Sequence, residues 1–192
     1  MKKNFITSIL YTAVATVLLG VIYPLVVTGL AQMFAKDRAN GQLIRKNGVT
    51  IGSRILAQPF SSAKYFHARP SAAGANGYDA TNSGGTNWGP TNQKLTNRVK
   101  NDTAVLQSEN PGKPVPVDLV TTSGSGLDPH ITPASAEFQV ARVAMARGTA
   151  EANIRKLVAE HTELRQFGFL GEPRVNVLEL NLDLDRTVPM KK

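Results

Sequence analysis

The hydrophobic positions of this chain are concentrated at one end. No charged side chain occurs between Lys3 and Lys36, and 21 of the 30 residues in Phe5–Phe34 are apolar. The others are Thr, Ser, Gly, Pro and one Gln, without the polar stripe at 3.6-residue spacing that a soluble core helix shows. At a rise of ~1.5 Å per residue such a helix reaches about 45 Å, more than the ~30 Å of a hydrocarbon core. The pattern predicts a transmembrane helix over 5–34, preceded by a short N-terminus (1–4) and followed by a soluble domain (35–192). A cleaved secretory signal competes with this reading, with Gly29-Leu30-Ala31 as the small-x-small cleavage site. Signal cores run only about 7–15 residues, half the run seen here, which favours a retained anchor.

Within the anchor, Pro24 follows Tyr23. A proline there frees a backbone carbonyl and bends the axis. Thr28, Gly29 and Gln32 come within the next two turns. Small and hydrogen-bonding residues allow close helix contact in lipid, so Tyr23, Pro24, Gly29 and Gln32 are candidate membrane-docking residues. The plainer alternative is a helix that merely bends.

Beyond the anchor the periods change repeatedly. After a linker, Gly48–Gly52 and Arg54–Leu56 have the β-branched and apolar content of a strand. From Tyr65 to Asn92 no period survives, and Gly, Asn, Ser and Thr dominate. Loops of that length are functional or disordered. Tyr65, Phe66, Tyr78 and Trp88 argue for an ordered loop packed against a partner or ligand. Asn92 caps an expected helix to about Gln107, with Leu95, Val99 and Leu106 on one face. Val115–Thr121 reads as a strand whose start is limited by Pro114 and Pro116. Thr132-Pro133 starts a helix that Gly148 stops, with Ala136, Val140, Val143 and Ala144 on one face. Thr149 is the expected cap of a second helix bearing Ile154, Leu157, Val158 and His161. Val175–Leu184 alternates Leu with Glu, Asn and Asp and reads as a half-buried strand. The fold class is therefore α+β: a mixed α/β soluble domain tethered by one N-terminal transmembrane helix.

Charge and chemistry narrow the function. The chain carries a formal +8 and no cysteine, which excludes disulfides, thiolate zinc sites and a Cys nucleophile. Seven Lys/Arg against one acid lie in Lys36–Pro70. Without aromatics interleaved on a defined element, this basic segment suits lipid head groups or solvent, not nucleic acid. Basic flanks on both sides of the anchor leave its orientation open by charge. The three histidines are far apart, so no metal site is expected. The densest chemistry is Ser123-Gly124-Ser125-Gly126-Leu127-Asp128-Pro129-His130. It lacks the Gly-x-Ser-x-Gly of a nucleophile elbow, since Ser123 occupies the first Gly position. It also lacks the Lys of a phosphate loop. Two readings stay open: an anion-binding nest of backbone amides beside the following helix N-terminus, and a tight turn using Asp128, Pro129 and positive-φ glycines at 124 and 126.

Five runs, in order along the chain, carry a resemblance: Tyr65–Ala72 (YFHARPSA), Ser83–Asn92 (SGGTNWGPTN), Val117–Pro133 (VDLVTTSGSGLDPHITP), Arg142–Gly148, and Gly171–Leu182 (GEPRVNVLELNL). Together they resemble the C subunits of the bacterial Kdp potassium-transporting ATPases, the KdpC family. The resemblance implies a non-catalytic accessory subunit of an ATP-driven, high-affinity potassium uptake complex in the cytoplasmic (inner) membrane. It implies three partners: a potassium-channel-like subunit, a P-type ATPase subunit and a very small membrane subunit. It also implies a role in assembly, a catalytic-chaperone effect raising the pump subunit's ATP affinity, and an extracytoplasmic soluble domain. No firmly bound cofactor and no catalytic residue are expected, with ATP acting through the complex. Candidate partner-contacting or nucleotide-modulating residues are Ser123, Gly124, Ser125, Gly126, Asp128, His130, Tyr65, Arg69, Asn87 and Arg142. The competing reading is a free-standing, membrane-anchored or secreted envelope hydrolase or binding protein using Ser125 or His130.

Overall fold

The computed structural model describes residues 1–189. It packs as two units, Met1–Leu43 and Ile44–Lys192. In the first, Lys2–Phe34 is a single run of helix, 33 residues long and apolar enough to cross a membrane. Its winding changes midway: α1 (Lys2–Ala15) passes into a π-helical stretch (Thr16–Ile22) and then into α2 (Tyr23–Phe34). Pro24 supplies the reason. It has no N–H for the carbonyl one turn back, and its ring crowds that carbonyl. The wider winding eases the approach, and Tyr23 N–H donates to the Leu18 carbonyl, five residues earlier. A short helix α3 (Lys36–Ala39) follows. Gln32 and Asn40 exchange amide hydrogen bonds (3.1 and 3.3 Å), so the Gln32 side chain has a partner within its own chain.

The boundary between the units falls one residue into a hairpin, β1 (Leu43–Lys46) and β2 (Val49–Ser53), joined by Asn47-Gly48 with φ of +53° and +80°. That is the two-residue turn whose twist matches paired strands. Arg54–Leu56, expected in the strand, turns away from it. No helix or strand occurs from Arg54 to Asn92, where α4 (Gln93–Glu109) begins. Asn92 caps α4 by accepting from Lys94 N–H at 2.9 Å. Its inward stripe, Leu95, Val99 and Leu106, is only half-buried.

Three helices and a small sheet form the core. α5 (Pro133–Arg147) and α6 (Glu151–Glu160) pack against each other. β3 (His130–Ile131), β5 (Arg174–Asn176) and β4 (Thr162–Glu163) form an antiparallel sheet in that spatial order, with Ile131 and Thr162 both opposite Val175. α7 (Val177–Thr187) closes the core. Val140, Val143, Ile154, Val175, Leu180 and Leu184 are fully enclosed. The Thr132 cap and Gly148 stop of α5 occur as expected, with Gly148 at φ +65°. Thr149 does not cap α6. Ala150 holds that position, and the Thr149 hydroxyl accepts from Asn153 instead.

Two expected strands are not strands. Val117–Leu119 is a single 3-10 turn, because Pro114 and Pro116 leave the segment short of ladder donors and Asp118 turns inward. Val175–Leu184 is strand only to Asn176, then helix. Asn176 caps α7 by accepting from Glu179 N–H at 3.1 Å, and burial follows Val177, Leu180, Asn181 and Leu184, a helical period.

Asn181 explains that placement. It is 1% exposed, and its amide brackets one residue of the long loop: Phe66 N–H donates to Oδ1 and Nδ2 donates to the Phe66 carbonyl, both at 2.9 Å. Gln139 of α5 does the same for His67, at 2.8 and 3.2 Å. The loop's Phe66 ring is thereby sunk wholly into the core. Replacing Asn181 with Leu strands two buried backbone groups. Each costs about 1–3 kcal/mol, so stability should fall by at least ~2 kcal/mol. Denaturant midpoints of the detergent-solubilised chain measure this. A shift no larger than that of the exposed-helix control Asn101→Leu would contradict the bracket.

Candidate functional site

The long loop meets the Thr121–His130 turn through backbone as much as through side chains. Ser71 Oγ donates to the Gly126 carbonyl at 2.5 Å and accepts from Tyr78 N–H at 2.8 Å. Gly84 N–H and the Ser83 hydroxyl both donate to the Ser125 carbonyl, at 2.9 and 3.0 Å. Gly126, at φ +67°, sits so close that a Cβ would lie 2.6 Å from the Gly84 carbonyl oxygen and 2.8 Å from Ala73 N. Glycine is required there for both conformation and space. Gly124, expected to need positive φ, does not have it, and a Cβ there would meet nothing within 4 Å.

Arg69 is the charged centre of the clasp. Nη1 donates to Asp128 at 3.2 Å, and Nε and Nη2 reach the Thr121 and Thr122 carbonyls at 3.4 and 3.3 Å. Asp128 in turn accepts from His130 N–H at 3.0 Å and has His130 Nδ1 at 3.5 Å. Burial pushes the Asp128 carboxyl up, but the His130 hydrogen bonds and the Arg69 charge together outweigh it and hold it below its ordinary value. A cleft of about 280 Å³ opens beside Arg69, Asp128, His130, Glu172 and Arg174.

The hydroxyls do not join this charge group. Ser125 Oγ accepts from Leu127 N–H at 3.1 Å and lies 3.5 Å from Ser123 Oγ. No Ser–His hydrogen bond links them to His130 among the described residues, so there is no nucleophile–base pair in this geometry. The anion-nest alternative is also largely filled. Gly126 N–H donates to the Ser123 carbonyl at 3.3 Å. At the α5 N-terminus, Asp118 already occupies the anion's place, accepting from Thr132 N–H at 2.8 Å and from the Ser135 and Thr132 hydroxyls. No cluster of three or more His, Asp or Glu suited to a metal occurs among the described residues.

The remaining candidates are dispersed. Tyr65 donates to Asp185 at 2.9 Å and lies 4.9 Å beneath the Arg147 guanidinium. Arg142 braces the loop, donating to the Ala63 and Tyr65 carbonyls at 2.8 and 3.0 Å. It also borders a second cavity of about 340 Å³ with His67, Tyr78, Leu106 and Glu109. Burial, reinforced by Arg142, lowers the His67 pKa. Its Nε2 must donate to the Ser62 carbonyl, 3.1 Å away. Asn87 lies apart in the loop at φ +52°. Tyr23, Pro24, Gly29 and Gln32 are all in α2, where a Cβ on Gly29 would meet nothing within 4 Å. The residues missed from sequence are Asn181, Gln139, Arg147, Asp118 and Ser71. For Asn181, Gln139 and Arg147 the available signal was a polar side chain in the apolar phase of α7 or α5; Asp118, in the 3-10 turn, and Ser71, in the loop, had no such phase to mark them.

A family model, KdpC, the c chain of the K+-transporting ATPase, matches residues 5–186. The chain belongs to the KdpC family. It is 71% identical over 190 residues to the potassium-transporting ATPase KdpC subunit of Koribacter versatilis, covering 99% of this chain and 98% of that one. It is 56% identical to the namesake subunit of Acidobacterium capsulatum (94% and 96% covered) and 50% identical to that of Methylococcus capsulatus (96% and 98%). The clasp is thus the geometry of a KdpC member in the runs that carried the resemblance.

Two outcomes follow for the clasp. Gly126→Val should destabilise the domain far more than Ser125→Ala, as thermal unfolding of the two variants would measure; equal midpoints would contradict the close approach. Asp128, with its folded pKa depressed, contributes stability that is fully present above the ordinary carboxylate value of about 3.9 and is lost as pH falls through the folded value. The stability gap between the native chain and Asp128→Asn should therefore be present at pH 6 and close under acid. A gap that widens on acidification would reverse the sign and reject the assignment.

Proposed function

We propose that this chain is a non-catalytic, single-span accessory subunit of an ATP-driven potassium uptake complex in a bacterial cytoplasmic membrane. The observation that carries this reading is the family match across nearly the whole chain, taken with the apolar helix at its N-terminal end. The partners are a channel-like potassium subunit, a P-type ATPase subunit that performs the hydrolysis, and a very small membrane subunit. α2 docks on partner helices through Gly29, whose surroundings are open, and the change of winding next to Pro24. The soluble domain lies outside the cytoplasm. From there it cannot touch ATP, so its chaperone effect on ATP affinity acts by biasing pump conformations, a coupling of typically about 1–3 kcal/mol. The arrangement of the turn supports this: its serines, Asp128 and His130 are spent on shape, and Arg69 and the loop hold them.

Purified complexes of each variant, with subunit stoichiometry checked on the same sample, test the proposal by ATPase activity against ATP concentration. Ser125→Ala and His130→Ala should retain substantial potassium-stimulated hydrolysis, with at most a changed apparent ATP affinity. Complete loss in an intact complex would overturn the non-catalytic reading in favour of a hydrolytic one. Gly29→Leu should reduce co-extraction of the partner subunits without unfolding the soluble domain. Mass spectrometry of the mature chain should find Phe5–Ala31 attached; an N-terminus at Gln32 would mark a cleaved signal instead.

A further inference from the structure

Between β4 and β5 the chain makes an excursion through residues 164–173 that carries four large apolar side chains into solvent. Leu164, Phe167, Phe169 and Leu170 are 78, 86, 71 and 48% exposed. The other phenylalanines of this unit, Phe60, Phe66 and Phe138, are buried or half-buried. Single exposed hydrophobes need no explanation, but four within seven residues of one short excursion concentrate apolar surface in the way that marks an interaction site.

The tip is built to hold its shape. Gln166 N–H donates to the Leu170 carbonyl and Leu170 N–H returns the bond to Gln166, both at 2.9 Å. Gly168 and Phe169 N–H are tied to the Arg165 and Gln166 carbonyls at 3.1 and 3.2 Å. Phe167 itself stands at φ +53°, a conformation that bulky residues rarely adopt, with Gly168 at +82° beside it. The ring is thereby turned outward on a fixed backbone. A rigid apolar knob loses little conformational freedom on docking, which is what a shaped recess rewards.

The rim indicates what kind of surface covers it. Arg165 pairs with Glu172 at 2.6 Å and Arg174 with Glu163 at 2.9 Å. All four side chains are exposed, and these charges, which flank the apolar residues in the chain, are of both signs and sum to zero. A tip made for an anionic bilayer would present unpaired cations to the phosphates and keep carboxylates away. An apolar centre within a balanced polar rim is instead the anatomy of a protein–protein contact.

We propose that the 164–170 tip is a docking knob whose two phenylalanines enter an apolar recess, polar at its edge, on another polypeptide subunit of the potassium-transporting ATPase. The inference rests on the subunit reading given above. It adds the surface and the chemistry of the contact.

The test places a photo-crosslinking phenylalanine analogue (p-benzoylphenylalanine) at position 167 of the full chain, in native membranes. After irradiation the complex is purified and the adduct identified by mass spectrometry. The expected product joins this chain to another subunit of the co-purified ATPase. In parallel, Phe167→Ser combined with Phe169→Ser should leave the melting transition of the chain unchanged, because both side chains are exposed. It should nevertheless make the chain leave the detergent-extracted complex at least tenfold faster. Adducts only with lipid, only with a second copy of the chain, or with nothing, in a complex that is otherwise intact, would overturn the knob and leave the subunit reading standing. Failure of the unsubstituted chain to co-purify with any ATPase subunit would overturn the subunit reading and the knob together.

Discussion

A buried backbone group must find a hydrogen-bond partner, and the loop from Arg54 to Asn92 has no helix or strand to provide one. The side-chain amides of Asn181 and Gln139 supply it. Each brackets the N–H and C=O of one loop residue, Phe66 and His67, so the loop enters the core as though it were an extra strand. The cationic side chains of α5 extend the arrangement. Arg142 takes the carbonyls of Ala63 and Tyr65, and Arg147, itself buried, takes those of Lys64 and Val188. Leaving these groups unmade would cost more than the modest net gain of each bond, which makes the loop's path all but obligatory once α5 and α7 have packed.

The rest of the soluble unit follows from that path. With Phe66 fixed, Arg69 is delivered to Asp128 and the Thr121 carbonyl, and Ser71 to Gly126. The turn is then clamped between loop backbone on one side and the α5 N-terminus, with its Asp118, on the other. A segment rich in hydroxyls, acid and imidazole thus ends as a rigid shape with most of its polar atoms committed.

What could be read directly from the chain was whatever depended on local pattern. The apolar run of the anchor, the Asn92 and Thr132 caps, the Gly148 stop and the buried face of α5 all follow from neighbours within two turns. The two expected strands that failed did so where a polar residue lay in the core. Asn181 was counted as an outward position between Leu180 and Leu182, and that single assignment made a helix look like an alternating strand. Its true role, binding a backbone 115 residues away, has no local trace beyond the Asn176 cap. Asp118 misled in the same way, since its partners Thr132 and Ser135 lie beyond the next turn. The candidate site was legible in part. Arg69, Asp128 and His130 do meet, whereas Tyr65 and Arg142 brace the loop from behind and Asn87 stands apart.

The central claim is that a Gly/Asn-rich loop is structural core, held by side-chain amides. Native-state hydrogen exchange on the Phe66 and His67 amides tests it most directly. Protection close to that of the buried face of α5, falling in Asn181→Leu more at Phe66 than at the α5 amides, is the predicted result. Exchange at both amides as fast as at an exposed loop position such as Gly89 would contradict it.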